Sequence, residues 1–397
     1  MKATGIICEY NPFHNGHAYQ IKCVRDRGTD VIVALMSGHA TQRGALASFN
    51  KYDRARMALT GGADVVLELP YPYAAASAAY FAGAGVCLLD ALGIDEICFG
   101  SECGSIETLE KAVALSENAD IPSSMRAMQR KGVGTAAAFF ASCASGAEKG
   151  AAHMLQSNDI LAVEYLKAMK RLESRMAVFV LKREGTDYHS TQALPGGYPS
   201  ATAMRELLYN GKWDEIRRYA PAGVVRTMEE AVAAGRALPG EDKLAPLILG
   251  YLRAVSPEDL RNIAEVGGGL SERLCRVAWE SNTLTDFYRR LACKTYTNAR
   301  LRRAVLFSLT GVTEQDLRTP PAYLQLLGAT ERGKEWLSST KKIRSVPILS
   351  KATQGALRGN SAAMRQYAMS RRLDGIFSLA FEVPQAADKW IKTSPIV

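Results

Sequence analysis

The chain of 397 residues holds 49 lysines and arginines against 40 aspartates and glutamates, so its formal net charge is +9. An apolar content of 47% excludes a disordered or collagen-like chain, and the length favours two domains. The N-terminal segment lacks the length and cleavage site of a secretory signal, and the eight cysteines form no C-x-x-C pair. We therefore expect a cytoplasmic protein without a disulfide framework.

Short apolar runs organise the first half of the chain. Four of them, at residues 5–8, 31–36, 65–69 and 96–99, alternate with helix-like segments, and a fifth follows at 176–181. This alternation is typical of βαβ units, and the continuous apolar runs are typical of parallel strands covered on both faces. The pattern predicts a doubly wound, Rossmann-like α/β domain.

The longest uncharged segment, residues 69–89, raises the question of a membrane span. It consists mostly of Ala, Gly, Ser, Tyr and Pro, and two prolines lie near its start. This composition favours a closely packed buried helix over a span, so we expect no membrane association.

Polar and glycine residues follow several of the predicted strands. These segments read HNGH at 14–17, SGHATQRG at 37–44, GSE at 100–102 and KREG at 182–185. In doubly wound folds, ligands bind at the carboxyl ends of the strands. We therefore expect a ligand site at this edge of the sheet.

The HNGH segment carries the strongest chemical signal, because it lies between a strand and a predicted helix start. A helix N-terminus attracts phosphate, and Gly16 lacks the Cβ that would keep a phosphate away. His14 and His17 lie three residues apart, where both imidazoles can donate hydrogen bonds to a triphosphate and stabilise the charge of leaving pyrophosphate. A structural histidine pair and a zinc site are the alternatives.

A second anion-binding segment reads PSATAMR at residues 199–205. Hydroxyls of Ser200 and Thr202 at a helix start, followed one turn later by Arg205, form a cradle in which the guanidinium can clamp pyrophosphate oxygens. The same pattern also occurs as an ordinary helix cap.

The positive charge is concentrated in the C-terminal half. Residues 1–204 hold 19 basic against 20 acidic side chains, and residues 205–397 hold 30 against 20. Helical patterns dominate beyond residue 210, most clearly at 289–309, where cations are interleaved with aromatic side chains. We predict a mainly helical, basic domain over 211–397 that binds RNA, with a solvated amphipathic helix as the alternative for 289–309. The candidate RNA contacts are Arg289, Arg290, Lys294, Arg300, Arg302 and Arg303.

Taken together, these segments resemble the tRNA(Met) cytidine acetate ligase family of the HxGH nucleotidyltransferase superfamily. The blocks that carry the resemblance are GIICEYNPFHNGH (5–17), SGHATQRG (37–44), ELPYPYAAASAAYFA (68–82), FGSE (99–102), SNDILAVEYLKA (157–168), KREGTDYH (182–189), PSATAMR (199–205) and YTNARLRRAVL (296–306). One block departs from the family pattern, SGNFVQRG, by having His39 and Ala40, so the role of these two residues stays open. The resemblance implies a nucleotidyltransferase-like, ATP-binding domain over 1–210.

The resemblance also implies a set of site residues. The predicted catalytic residues are His14, His17, Lys182 and Arg205. The predicted ATP contacts are Ile7, Cys8, Glu9, Tyr10, Asn11, Pro12, Phe13, His14, Asn15, Gly16, His17, Gln20, Gly100, Ser101, Asn158, Arg183, Ser200 and Thr202. A helix cap is the alternative for Asn158, and a surface ion pair is the alternative for Arg183.

The implied reaction has two steps and uses ATP with Mg²⁺. Acetate attacks the α-phosphate to give acetyl-adenylate, and the acetyl group then passes to the wobble cytidine of elongator tRNA(Met), forming N4-acetylcytidine. A carboxylate is already ionised near neutral pH, so the first step needs positioning and charge neutralisation more than a base. The alternatives are a cofactor adenylyltransferase of the same superfamily and a non-catalytic RNA-binding protein with a nucleotide site.

Overall fold

The computed structural model describes residues 1–117, 157–183, 198–350, 357–389 and 393–396. Its described strands form one sheet in the order β5-β4-β1-β2-β3-β6-β7. The strands are β1 Ala3–Cys8, β2 Val31–Ser37, β3 Val65–Leu69, β4 Glu96–Ser101, β5 Ala177–Lys182, β6 Leu324–Ala329 and β7 Ile348–Leu349. All pairs are parallel except β3 with β6. The five strands predicted from the apolar runs are therefore confirmed.

The strand order places a crevice beside the first strand. The chain runs outward from β1 through β2 to β3 and then returns to the other side of β1 for β4 and β5. The order thus reverses between β1 and β4, and ligands of doubly wound folds bind at such a point. The HNGH segment follows β1, and Gly100 lies near the end of β4.

Helices cover both faces of the sheet. The described helices are α1 Asn15–Asp26, α2 Lys51–Thr60, α3 Ala78–Ala91, α4 Ile106–Ser116, α5 Ser157–Leu172, α6 Ala201–Tyr209, α7 Trp213–Tyr219, α8 Ala222–Ala233, α9 Ala245–Ala254, α10 Leu270–Trp279, α11 Leu284–Leu291, α12 Asn298–Thr310, α13 Glu314–Arg318, α14 Glu331–Ser339 and α15 Ser361–Ser378. Short 3₁₀ turns occupy Tyr73–Ala75 and Glu241–Leu244.

Alternation along β2 shows how the two faces are filled. Val33 and Leu35 pack into one apolar cluster with α3 and α5, whereas Ile32 and Met36 pack into a second cluster with α1, α2 and α8. Successive side chains of a strand point to opposite faces, so a continuous apolar run fits a strand buried on both. The prediction of two covered faces is wrong for β5, the last strand at one end of the sheet, whose side chains are half-buried or exposed.

The second half is mainly helical, as predicted, but it also contributes β6 and β7 to the sheet. The sequence pattern beyond residue 210 did not reveal β6. This strand has only six residues and lies between segments with helical patterns. The division into domains at residue 210 stays a prediction.

The predicted continuous helix over 289–309 is wrong. Residues 292–297 separate α11 from α12, with extended backbone at Ala292, and the Thr297 hydroxyl accepts from the Arg300 amide to cap α12. A threonine followed by a polar residue is a helix-start signal, and here it overrides the helical periodicity.

The uncharged segment at 69–89 forms the 3₁₀ turn and most of α3, whose side chains pack under the sheet. Among the described residues, no helix has both the length and the apolar character to cross a bilayer.

Candidate active site at the carboxyl ends of the first and fourth strands

Backbone amides at the start of α1 hold the rings of both histidines of the HNGH segment in place. The His14 ring accepts a hydrogen bond at Nδ1 from the Gly16 amide (3.1 Å), and the His17 ring accepts at Nδ1 from the His14 amide (3.2 Å). These are the two halves of a capping box, formed here by imidazoles. The rings stack with centroids 3.8 Å apart.

This arrangement determines where the ring protons lie. A neutral imidazole that accepts at Nδ1 carries its proton on Nε2, so both rings have an Nε2–H left to donate. Burial lowers the pKa of His14 to about 3, assisted by the charges of Arg183 and Arg205. Burial also lowers the pKa of His17, together with His14 and Arg183. Both rings are therefore neutral donors near pH 7, which is the form predicted for binding phosphates.

Gly16 also makes room for a neighbouring ring. An added Cβ would lie 3.0 Å from Cε1 and 3.1 Å from Nδ1 of His14. The missing side chain therefore makes room for the His14 ring, and the Gly16 amide is already bonded to that ring. The contact of Gly16 with a phosphate stays a prediction, and its amide is engaged by the His14 ring in this structure.

Buried aromatic rings support the histidines from below. Tyr10 and Phe13 are both within 1% of complete burial and lie edge-on to each other at 4.9 Å. The His17 ring contacts both, at 4.8 Å from Tyr10 and 5.4 Å from Phe13. The HNGH segment is thus packed against buried aromatic rings.

Two predicted arginines are brought to the histidines. Arg205 on α6 donates from Nη1 to the Asn11 carbonyl and from Nη2 to the Thr202 hydroxyl, both at 3.0 Å. Ser200 caps α6 through the Ala203 amide. The PSATAMR segment therefore forms a helix start that faces the loop after β1, as the sequence predicts.

Arg183 directly follows β5, whose carboxyl end lies at the same edge of the sheet as that of β1. Its amide donates to the Ser101 carbonyl (2.9 Å), and its aliphatic chain covers Gly100, where an added Cβ would lie 3.2 Å from Cγ. Lys182, which precedes it, packs its chain against Gly104 instead. Arg183 thus faces the histidines, whereas Lys182 lies at the edge of the site.

The loop after β4 is held by a reciprocal pair of carboxylates. The Glu102 carboxylate accepts from the amides of Asn158 (3.2 Å) and Asp159 (3.1 Å), and it also accepts from the Asn158 side chain. The buried Asp159 carboxylate accepts in turn from the Ser101 hydroxyl (2.6 Å) and the Glu102 amide (2.9 Å). Ser101 and Asn158 therefore hold this loop, and their contact with ATP stays a prediction.

Other predicted contacts are placed less directly. The Gln20 amide lies 3.5 Å from the Cys98 thiol, beneath the site. Cys8 is buried, and burial raises the pKa of its thiol well above the usual range, so it is an inert core residue. The remainder of the KREGTDYH block, residues 184–189, lies outside the described residues.

One important residue was missed by the sequence analysis. Arg54 on α2 is completely buried, and its guanidinium donates to the carbonyls of Glu9 (2.5 Å), Ser37 (3.0 Å) and Phe49 (3.2 Å) and also to that of Gly38. Burial lowers its pKa to about 10, so it remains charged at pH 7. It ties together the loops that follow β1 and β2. A lone arginine in an otherwise ordinary helix gives no sequence signal for this.

The open question of His39 is resolved by its place in a buried polar cluster with Lys51, Glu68 and Asp374. Lys51 Nζ lies 2.9 Å from Glu68 and 3.2 Å from Asp374, and His39 Nδ1 lies 2.7 Å from Asp374. Burial lowers the pKa of His39 to about 4, although Asp374 opposes this shift. His39 is thus a neutral donor that links the loop after β2 to α15, and Ala40 is a buried part of the same loop.

Ion pairs engage most of the predicted RNA contacts. Arg289 and Arg290 pair with Asp286, whereas Lys294 is exposed and makes no ion pair within the described part of the chain. The first two remain accessible at the surface.

The three arginines of α12 lie deeper. Arg300 and Arg303 pair with Glu265, and Arg302 pairs with Glu241 at 2.5 Å. Arg303 is buried, so its predicted contact with RNA would first require breaking that pair.

No group of three or more His, Cys, Asp or Glu side chains that could hold a metal is found within the described ranges. Two of the five histidines, His153 and His189, lie outside those ranges. A zinc site completed by the HNGH histidines therefore has no further ligands in the described part.

Comparison with known proteins agrees with this geometry. The HIGH Nucleotidyl Transferase family matches residues 1–389. A tRNA(Met) cytidine acetate ligase of Acetivibrio thermocellus is 35% identical over 369 residues, covering 88% of both chains. One from Syntrophotalea carbinolica is 36% identical over 358 residues, covering 88% of this chain and 84% of the relative.

Two crystal structures of Thermotoga maritima TmcAL are similar over the whole chain. The apo form superposes with a TM-score of 0.93 at 29% identity, and the form bound with alpha-thio ATP superposes with 0.90 at 28%. Both comparisons cover 100% of this chain and 99% of the solved one.

Proposed function

Because the chain belongs to the tRNA(Met) cytidine acetate ligases, within the HIGH nucleotidyl transferase family, we propose that it activates acetate with ATP and acetylates the wobble cytidine of elongator tRNA(Met). The observation that carries this proposal is the pair of neutral imidazoles, His14 and His17. Each ring accepts at Nδ1 and so keeps an Nε2–H to donate, and the charge of Arg183 helps to lower the pKa of both. A cytoplasmic location follows from the tRNA substrate.

The first step is supported by the charges at the crevice. A carboxylate oxygen of acetate bonds to the α-phosphorus as the bond from that phosphorus to the bridging oxygen of pyrophosphate breaks. Arg183 and Arg205 are fixed cations that offset the charge growing on pyrophosphate, and the imidazoles donate without needing to change protonation state. Donors that are already oriented cost no reorganisation when the charge develops.

The second step joins the acetyl group to RNA. The exocyclic N4 of cytidine attacks the carbonyl carbon of acetyl-adenylate, the carbon–oxygen bond to AMP breaks, and N4 loses a proton. The basic second half supports contact with the phosphates of tRNA.

The proposed reaction uses ATP together with Mg²⁺. Mg²⁺ keeps several waters and is usually held by one or two carboxylates together with substrate phosphates. The described residues offer no ready-made metal cluster. We therefore propose that the ion enters on the ATP phosphates.

Pyrophosphate exchange tests the proposal. Labelled pyrophosphate should enter ATP at a rate that rises with acetate, and acetylated cytidine should form only when tRNA(Met) is added. Exchange driven by a phosphorylated cofactor precursor instead of acetate would favour a cofactor adenylyltransferase. RNA binding without any exchange would favour a non-catalytic RNA-binding protein.

His17→Ala tests whether acetate activation and tRNA binding use different parts of the chain. The variant should abolish acetate-dependent exchange, because it removes one oriented donor and half of the capping box. Its affinity for tRNA should remain within about twofold, because the cationic helices lie elsewhere in the chain. Equal loss of exchange and of tRNA affinity would contradict the separation of sites.

A further inference from the structure

Arg54 is a buried cation that the proposed reaction steps do not use. It lies on α2 and is completely buried. Among the described residues, its hydrogen bonds go to backbone carbonyls and not to carboxylates. Taking a charge out of water is costly unless the charge is paired or fully hydrogen-bonded. The carbonyls that Arg54 holds therefore indicate what this cation is used for.

One of these carbonyls precedes a residue with an unusual backbone conformation. Arg54 Nη1 donates to the Glu9 carbonyl at 2.5 Å, and the next residue, Tyr10, has a φ of 44°. This left-handed region is rare for a bulky residue and persists where surrounding contacts hold the backbone in place. The hydrogen bond from Arg54 is such a contact, because it fixes the peptide group that leads into Tyr10.

The peptide group after Tyr10 is held as well. The Asn11 carbonyl accepts from Arg205 Nη1 at 3.0 Å, and the Asn11 side chain accepts from the Ser48 amide at 2.7 Å. The left-handed turn at Tyr10 is therefore held on both sides, by Arg54 before it and by Arg205 after it.

This turn places the Tyr10 ring against His17. The two ring centres lie 4.8 Å apart in an edge contact, and Tyr10 is buried. Phe13 contacts both rings, at 4.9 Å from Tyr10 and 5.4 Å from His17. The direction of a side chain follows its backbone conformation. An extended backbone at Tyr10 would therefore turn its ring away and remove the surface against which the His17 ring packs.

The helix that carries Arg54 also contacts these aromatic rings. Gly61 directly follows α2, and a Cβ added to Gly61 would lie 2.6 Å from Cε1 of Phe13. The helix α2 and its last turn thus contact the loop after β1 at two points, which are the Glu9 carbonyl and the Phe13 ring.

We propose that Arg54 is a positioning residue for the activation of acetate, because it holds the turn at Tyr10 that keeps the His17 ring aimed at the nucleotide. This inference rests on the proposed function. The contacts run from the Arg54 guanidinium to the Glu9 carbonyl, and through the Tyr10 backbone to the His17 ring. Oriented donors are effective only when the residues around them fix their direction within narrow limits. Arg54 supplies this restraint from the core, without contacting the substrate.

Nitrogen NMR of the imidazoles tests this link in the full-length protein without any substrate. The chain has five histidines, so the spectrum is simple, and His17→Ala identifies the His17 signals. Wild type should show His17 in the Nε2–H form between about pH 6 and 8, because its Nδ1 accepts from the His14 amide. Arg54→Lys keeps the positive charge but lacks the planar fork. It should give His17 signals averaged over both tautomers, whereas a substitution that only lowers the free energy of unfolding leaves the signals of folded molecules unchanged.

Exchange kinetics give a second measurement. In Arg54→Lys, the kcat of acetate-dependent pyrophosphate exchange should fall by about 10- to 100-fold, because a shift of about 1 Å in an oriented group costs up to about 100-fold. The KM for ATP should stay within about threefold, since the misplaced donor acts on charge that grows as pyrophosphate leaves. The matched control is Arg56→Lys, two residues further along α2 in an exposed pair with Glu230. It should leave kcat, KM and the His17 signals unchanged.

Tyr10→Leu interrupts the same link one step closer to His17. It removes the ring contact, so it should change the His17 signals and the exchange rate in the same direction as Arg54→Lys. The double variant should be no slower than the slower single variant, because both substitutions act through one contact. Losses that multiply in the double variant would overturn the proposal. If Arg54→Lys does not fold, wild-type His17 signals in Tyr10→Leu would overturn it as well.

The outcomes separate this inference from the proposed function. Wild type without acetate-dependent exchange would refute the proposed function, and the His17 signals would still show whether Arg54 positions the ring. Wild type that exchanges, together with His17 signals in Arg54→Lys that match those of wild type, would refute the positioning role and leave the proposed function standing.

Discussion

Gly16→Ala tests the site through a single added carbon. The new Cβ would lie 3.0 Å from His14 Cε1 and 3.1 Å from Nδ1, whereas relaxed carbon contacts lie at about 3.5–4.0 Å. The ring would have to retreat by about 0.5–1 Å. It already stacks on His17 at 3.8 Å, so its hydrogen bond to the Gly16 amide would break and its Nε2–H would point elsewhere.

The expected loss is about 10- to 100-fold in acetate-dependent pyrophosphate exchange, because a shift of about 1 Å in an oriented group costs up to about 100-fold. This corresponds to about 1.4–2.7 kcal/mol of barrier. Stability should hardly change. Losing the cap costs about 1 kcal/mol, and alanine regains about 0.5–1 kcal/mol inside a helix.

Gly250→Ala is the matched control for this substitution. Gly250 lies within α9, is exposed, and an added Cβ there would meet nothing within 4 Å. It should leave exchange unchanged and raise the free energy of unfolding by about 0.5–1 kcal/mol. Wild-type exchange by Gly16→Ala, measured beside this control, would refute the argument that Gly16 makes room for the His14 ring.

Three further predictions concern stability, pH and RNA. Lys51→Met should lower the free energy of unfolding by about 3–5 kcal/mol, because it leaves the buried carboxylates of Glu68 and Asp374 unpaired. Lys170→Met, which breaks the exposed ion pair of Lys170 with Glu117, should cost less than about 1 kcal/mol. Similar denaturation midpoints for the two variants would contradict this. Between pH 6.5 and about 3 the unfolded chain protonates His14 but the folded protein does not. His14 alone should therefore lower the free energy of unfolding by on the order of 2 kcal/mol by pH 5. His17 and His39, whose pKa values are also lowered, add to this fall. His14→Gln should reduce the fall by the His14 share in denaturation series at several pH values. Arg289→Ala should reduce the slope of log affinity for tRNA against log salt by about 0.7–0.9, whereas Arg303→Ala should leave it unchanged; equal slopes would show that burial does not decide which arginine meets phosphate.

The sheet was predictable because its signals are local. Each of the first five strands is a short apolar run bounded by turn residues, and each matched the structure within two residues at its start. The strand β6 escaped detection because it pairs with β3 from about 260 residues away in the chain. Nothing within six residues distinguishes such a strand from a buried piece of helix.

The site was partly predictable for the same reason. The placement of His14 and His17 follows from one loop and one helix start, and that of Arg205 from another. The ion pairs of Arg302 and Arg303 involve Glu241 and Glu265, which are remote in sequence. A helical cation pattern does not reveal which cations face a carboxylate instead of solvent.

The two halves of the chain are built to fold together, even where we propose different functions for them. Asp374 on α15 neutralises Lys51 beneath the loop after β2, and β6 covers the edge of β3. A fragment ending near residue 210 would leave Lys51 with less charge compensation and would expose the apolar edge of β3, which favours aggregation. The second half is therefore needed to hold the loop after β2 and the sheet beside the candidate site, in addition to the RNA contacts that we propose for it. Separate loss of exchange and of tRNA affinity should thus be sought with point variants such as His17→Ala and Arg289→Ala, and not with isolated halves of the chain.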